Sequence, residues 1–153
     1  MIKKKNLLIF FAGFIFLISN FTFAQQNFLY KSNNQNTEQN NIANSILNRI
    51  GAGLSSGNVS EISGYLNTQT YLSLANGISG YYSSNQAFYV LEDFFNIYKV
   101  TSFHFQSVQT NGNLPYATGV YKYYFRGKKD SANVYISLKE VGDTLKITQI
   151  TIN

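Results

Sequence analysis

The sequence predicts an α+β domain in which two to three helices precede a run of antiparallel strands. Three observations carry this. Apolar residues recur at three- and four-residue spacing in two separate windows, 42–54 and 87–98. Beyond Lys99 the period shortens to two. The stretches between the strands after that point are too short for a crossover helix, so those strands form an antiparallel meander. Helices then lie on one face of the sheet.

The chain opens on an expected export signal, residues 1–24. Lys3, Lys4 and Lys5 form a cationic start, and Leu7 to Ile18 is an unbroken apolar run. Thr22-Phe23-Ala24 places small residues at the −3 and −1 positions of a cleavage site, leaving Gln25 as the new N-terminus. The apolar run is shorter than the roughly 20 residues that a bilayer requires. An uncleaved anchor continuing through Phe21 and Phe23 would be interrupted by Ser19 and Asn20. The expectation is an exported protein, periplasmic or extracellular, with no stable membrane span after cleavage. Residues 25–40 follow as a flexible Asn/Gln-rich spacer that offers little to bury beyond Phe28, Leu29 and Tyr30. The single domain occupies 41–153.

Helical pattern sets in from Thr37. Ile42, Ile46, Leu47, Ile50 and Leu54 share one stripe, Gly51 and Gly53 weaken it, and Gly57-Asn58 stops it. A short second helix is expected around Val59, Ile62 and Leu66. Thr70 to Leu74 alternates as a first strand, and Asn76-Gly77 with Ser79-Gly80 marks a loop. Ser83-Ser84-Asn85-Gln86 fits a capping box. Ala87, Val90, Leu91, Phe94, Phe95 and Tyr98 then predict a helix over Ser84–Tyr98.

Four strands are predicted beyond it: Val100–Gln109, Tyr116–Gly127, Ser131–Val141 and Thr144–Ile152, with turns at Thr110–Pro115, Gly127–Asp130 and Gly142-Asp143. Alternation sorts their faces. Phe103, Phe105, Tyr121, Tyr123 and Phe125 point inward with Ala132, Val134, Ile136 and Leu138. His104, Lys122, Tyr124, Tyr135 and Lys139 point outward. The last strand changes phase between Leu145/Ile147 and Ile150/Ile152, which predicts a bulge.

Composition excludes several functions. The 153 residues include no Cys and one His. That removes disulfide scaffolds, thiolate metal sites, cysteine nucleophiles and any multi-histidine site within one chain. No cofactor and no metal are expected. Without residues 1–24 the chain carries 9 basic and 7 acidic residues, so the formal charge falls from +5 to +2. Such a balance gives no case for nucleic-acid binding.

The blocks SGNVSEISGYLN (56–67), YLSLANGISGYYSSNQAFYVLEDFF (71–95), PYATGVYKYYFRGKK (115–129), VYISLK (134–139) and ITQITIN (147–153) carry a family resemblance. They resemble the bacterial secreted family named domain of unknown function 4783, with a fold like nuclear transport factor two, also called cystatin-like. The resemblance implies a cone in which a curved antiparallel sheet wraps a long helix and can leave a pocket. It implies no activity. Enzymes of this fold set an Asp or His base inside the cone, often beside Tyr.

Measured against that pattern, the acidic residues are poorly placed. Asp130, Glu140 and Asp143 sit in or beside turns, and Glu92 and Asp93 lie off the apolar stripe of their helix, though Asp93 follows Val90 by only three residues. His104 points outward. No residue is assigned a catalytic role. The pocket candidates are Tyr89, Asp93, Tyr98, Phe103, Phe105, Tyr121, Tyr123 and Phe125; core filling also explains the aromatic ones, and a solvated helix face explains Asp93. The outer-face interaction candidates are His104, Lys122, Tyr124, Tyr135 and Lys139.

The sequence therefore points to a non-catalytic module that binds a small ligand or a protein. Its expected partners are an amphipathic or glycan-like ligand, or a second copy joined through the sheet. The alternative is an enzyme working by proton transfer or hydrolysis with a buried carboxylate and Tyr in the cone. A buried acid facing an enclosed cavity would favour the enzyme, and a cone filled with Phe and Tyr would oppose it.

Overall fold

The computed structural model describes residues 37–112 and 114–153. The expected signal and most of the spacer lie outside the described residues. Residues 37–40, assigned to the spacer by the 25–40 boundary, are already helical.

Helix α1 covers residues 37–56. Its buried stripe is Ala43, Ile46, Leu47, Ile50 and Leu54, and Ile42 faces solvent instead of joining it. Gly57 ends the helix at φ +68, a conformation that costs other residues a Cβ clash. The Asn58 amide then donates to the Gly53 carbonyl at 3.0 Å, the six-to-one bond of a Schellman stop. Helix α2 is a single turn, Ser60–Ser63, that buries Ile62. Leu66, expected in that helix, instead opens strand β1, Leu66–Leu74. Strand β2, Ser79–Tyr82, occupies the stretch expected as a loop. Glycine at its centre and a length of four residues leave no alternation to read.

Helix α3 runs Ser84–Ile97 and starts as expected. The Ser83 hydroxyl accepts from the Gln86 amide at 3.4 Å, and the Ser83 amide donates to Gln86 Oε1 at 3.0 Å. Strands β3 (Lys99–Gln109), β4 (Tyr116–Phe125), β5 (Lys128–Val141) and β6 (Thr144–Ile152) complete the chain. The β4–β5 connection is a two-residue turn at Arg126-Gly127, shorter and earlier than the expected Gly127–Asp130. Both residues have positive φ, 50 and 78, which matches the right-handed twist of a tight hairpin.

The six strands form one sheet in the order β2-β1-β6-β5-β4-β3. The β3–β6 meander is antiparallel as expected, whereas β1 pairs parallel with β6. The sheet is thus mixed, because the chain returns from β3–β5 to place its last strand against its first. The phase change in β6 is a bulge: Ser137 pairs with Gln149 and Leu138 with Ile147, leaving Thr148 as the extra residue. Leu145, Ile147, Ile150 and Ile152 are all buried as a result. Thr70, the buried polar residue of the core, donates its hydroxyl to the Ile147 carbonyl at 3.1 Å beside that bulge. Asn153 exchanges two backbone bonds with Asn133, at 2.7 and 3.0 Å.

The core lies between the inner sheet face and the helices. Ala87, Leu91, Phe94 and Phe95 of α3 meet Leu72 and Leu74 of β1, Tyr121 of β4, and the apolar rows of β5 and β6. Two glycines let α1 and β4 close around an aromatic pair. A Cβ on Gly51 would sit 2.8 Å from the Phe105 ring, and one on Gly119 would sit 2.9 Å from the Phe103 ring. Phe103 and Phe105 meet edge to face with centroids 4.9 Å apart.

Candidate functional site

The interior of the cone was one candidate site. Tyr98, at the C-terminal cap of α3, is sandwiched between Phe94 and Phe125, with ring centroids 4.6 Å from each and interplanar angles of 12° and 5°. Tyr123 meets the edge of Tyr98 at 5.2 Å, and Phe95 stacks on Tyr121 at 5.9 Å. The helical stripe and the inward row of β4 thus interlock as one aromatic cluster. The buried Tyr121 hydroxyl donates to the Tyr98 backbone carbonyl at 2.8 Å. That bond satisfies a carbonyl left free at the helix end, so a hydroxyl that could have met a ligand holds α3 to the sheet. No buried side-chain polar atom among the described residues lacks a partner.

Burial pushes the Tyr121 phenol well above the ordinary tyrosine range, and the neighbouring Tyr123 adds to the shift. Burial raises Tyr123 as well, with contributions from Asp130 and Tyr98. A raised phenol pKa stabilises the fold fully below the unfolded value of about 10, and that stability is lost as pH rises toward the folded value. Urea midpoints are expected to hold steady up to about pH 9.5 and fall above about pH 10. Tyr121→Phe should cost about 1 kcal/mol at neutral pH and make the alkaline fall shallower. Identical alkaline slopes in wild type and Tyr121→Phe would refute this assignment.

Two pocket candidates fall outside the cone. Tyr89 is 64% exposed, and Asp93 is exposed on the solvent side of α3. The helical turn that buries Leu91 and Phe94 rotates residues 89, 92 and 93 outward. Phe103, Phe105 and Phe125 are half-buried at the rim, and Tyr98, Tyr121 and Tyr123 are buried. All seven acidic residues and His104 are exposed. Among the described residues, no three Asp, Glu or His side chains come close enough to hold a metal ion.

The outer sheet face was the second candidate, and alternation places all five residues expected there on it. His104 pairs with Val120, Lys122 with Ser131, Tyr124 with Lys129, Tyr135 with Thr118 and Thr151, and Lys139 with Lys146. The face extends further than expected. Register across the sheet lines up Tyr81, Tyr71, Gln149, Ser137 and Tyr116 in one row from β2 to β4. The adjacent row is Ser79, Ser73, Thr151, Tyr135 and Thr118. Tyr71 meets Tyr81 edge to face at 5.1 Å, Tyr116 stacks on Tyr135 at 5.8 Å, and Lys129 Nζ lies 5.5 Å over the Tyr124 ring.

Neither acid of the described sheet strands occupies this face. Asp130 pairs with Tyr123 and Glu140 with Leu145, so alternation sends both acids to the helix side. Lys99, Lys122, Lys129, Lys139 and Lys146 are its charges. One shallow depression on it is lined by Asn67, Gln69, Tyr71, Tyr81, Lys139 and Gln149. A second lies between Gln106, Thr118, Asn133, Tyr135 and Asn153.

A family model described as "Domain of unknown function (DUF4783)" matches residues 47–153. The chain belongs to the DUF4783 family. No curated protein matches it. A DUF4783 family protein from Bacteroides uniformis is similar, with 21% identity and a TM-score of 0.63 over 69% of this chain and 94% of that one. A second, from Bacteroides ovatus, has 21% identity and a TM-score of 0.60 over 68% and 90%. An uncharacterised cystatin-fold protein from Novosphingobium aromaticivorans has 12% identity and a TM-score of 0.56 over 71% and 95%. These likenesses establish the fold, which is α+β of the nuclear-transport-factor-two-like, cystatin-like kind. DUF4783 membership carries no activity with it, so function rests on the residues.

Tyr71, Tyr81 and Tyr116 are the outer-face residues that sequence reasoning missed. The alternation of Tyr71 with Leu72 and Leu74 signalled the first of them. Tyr81 had no signal, since its strand is read only from pairing.

Proposed function

We propose that the protein is a non-catalytic interaction module, working outside the cytoplasm, whose binding surface is the outer face of the sheet. One observation carries this reading: every acid and the single His are exposed, while the cone holds an interlocked aromatic cluster. General acid–base chemistry needs a carboxylate or imidazole beside a sheltered substrate. The outer face, in contrast, combines exposed Tyr with Ser, Thr, Asn and Gln, residues that give rigid contact area and adaptable hydrogen bonding. Residues 1–24 supply the argument for export.

Native mass spectrometry of the exported protein, purified from cells that make it, tests the reading. A retained mass, whether ligand or second copy, should be lost in Tyr135→Glu and kept in Tyr121→Phe. Retention in Tyr135→Glu with loss in Tyr121→Phe would place binding in the cone and overturn the proposal. Circular dichroism should show both variants folded, because Tyr135 is only half-buried and Tyr121→Phe keeps the ring.

A further inference from the structure

The part of the outer face nearest β2 has a chemistry narrower than that of a general docking surface. The two rows from β2 to β4 contain only Tyr, Ser, Thr and Gln. They offer no aliphatic side chain, although protein interfaces centre on an apolar, well-packed core. The tyrosine pairs lie at opposite ends of the rows. Tyr71–Tyr81 occupies β1 and β2, and Tyr116–Tyr135 occupies β4 and β5. Three strand spacings separate Tyr71 from Tyr116, roughly 14 Å. Between them lie Gln149 and Ser137, and Asn67 and Gln69 edge the depression beside Tyr71. Amides and hydroxyls of this kind both donate and accept, as a polyhydroxyl ligand requires.

Charge then separates neutral from acidic ligands. Lys139 and Lys146 are direct cross-strand partners on this face, an arrangement that costs stability because like charges oppose each other. Lys146 Nζ donates to the Gly64 carbonyl at 2.8 Å, while Lys139 lines the depression next to Tyr71 and Gln149. Glu140, the next residue along β5, faces the helix side and accepts there from Gln39 Nε2 at 3.2 Å, so it does not neutralise the pair. An anionic ligand would.

We infer that this end of the outer face binds an acidic glycan chain, with Tyr71 and Tyr116 as stacking platforms for sugar rings and Lys139 as the partner of a uronate carboxylate. The inference rests on the outer-face reading above and names its ligand class. Each sugar ring presents an apolar C–H face to a Tyr ring and hydroxyls to the amides between, and its carboxylate meets the lysine pair.

The test is calorimetric titration of the exported protein with oligogalacturonate, beside a neutral cello-oligosaccharide. Saturable binding of the acidic oligomer is expected, weakening as salt rises. Lys139→Ala and Tyr71→Ala should each weaken it roughly tenfold, with melting temperatures close to wild type. A third variant, Arg49→Ala on the exposed side of α1, removes one positive charge away from the sheet face and should bind like wild type. Equal binding of both oligomers, no binding of oligogalacturonate, or affinity untouched by Lys139→Ala and Tyr71→Ala would each overturn the inference. If oligogalacturonate fails while Tyr135→Glu still releases a protein partner or a second copy, the glycan assignment falls and the outer-face reading stands. If Tyr135→Glu releases nothing, the outer-face reading itself falls.

Discussion

Phe94→Ala is expected to destabilise the domain by about 3–5 kcal/mol, the range for deleting a buried phenyl group, read as a shifted urea midpoint with an unchanged slope. Phe94 is fully buried. Its ring stacks on Tyr98 at 4.6 Å and approaches Phe95 and Tyr121 at 5.8 and 6.1 Å. Truncation therefore leaves a cavity whose walls are themselves held by neighbouring rings and cannot collapse into it. Phe94→Leu fills part of that space and should lie well below the Ala value. A cost for Phe94→Ala under about 1 kcal/mol would mean that the aromatic cluster is loosely packed. In that event an internal ligand space would return as a serious alternative. The stability measurement thus bears on function.

Gly119→Ala is the second large effect. A Cβ there would lie 2.6 Å from the His104 carbonyl oxygen and 2.9 Å from the Phe103 ring. The ring can tilt, since it is half-buried, but the carbonyl belongs to the paired backbone of β3. The expected cost is about 1–3 kcal/mol, the usual range for overpacking. A double-mutant cycle separates the two clashes. Phe103→Leu beside Gly119→Ala should recover only the ring's share, leaving the backbone share in place. Full recovery would show that the carbonyl moves freely and that the β3–β4 ladder is softer than its register implies.

Much of the fold is legible in the residues, for reasons that differ by element. Helix α3 is visible because capping and stripe are both local, and the capping box forms where expected. Strands β3 to β6 are visible because each has one wet and one dry face, and even the β6 bulge registers as a change of phase. The parallel β1–β6 pairing is invisible to such reasoning. It joins residues some 80 positions apart, and no alternation records which strand a neighbour will be. Gly51 reads as a weakness of α1, whereas its lack of a side chain is what admits the Phe105 ring.

The candidate site divides in the same way. Outward placement of His104, Lys122, Tyr124, Tyr135 and Lys139 follows from period two. The continuous rows they share with Tyr71, Tyr81 and Tyr116 depend on register, which exists only once the sheet is assembled. Tyr89 and Asp93 went wrong through phase. On a helix with apolar residues at 87, 88, 90, 91, 94 and 95 the apolar arc is wide, and its edges are hard to place by spacing alone.

The bulge at Thr148 leaves β6 with a spare codon. Residues 145–152 read Leu-Lys-Ile-Thr-Gln-Ile-Thr-Ile, with two consecutive outward positions where a regular strand has one. In-frame loss of either Thr148 or Gln149 would leave Leu and the three Ile in strict alternation, every one still facing the core. Loss of Lys146 would set Leu145 against Ile147 and turn one of them to solvent. A strand flanked on both sides within the sheet is ordinarily the last place to tolerate a change of length, yet here one position can absorb it. The same strand carries Gln149 in the middle of the tyrosine row, so length variation at this point would alter the outer sheet face while sparing the core.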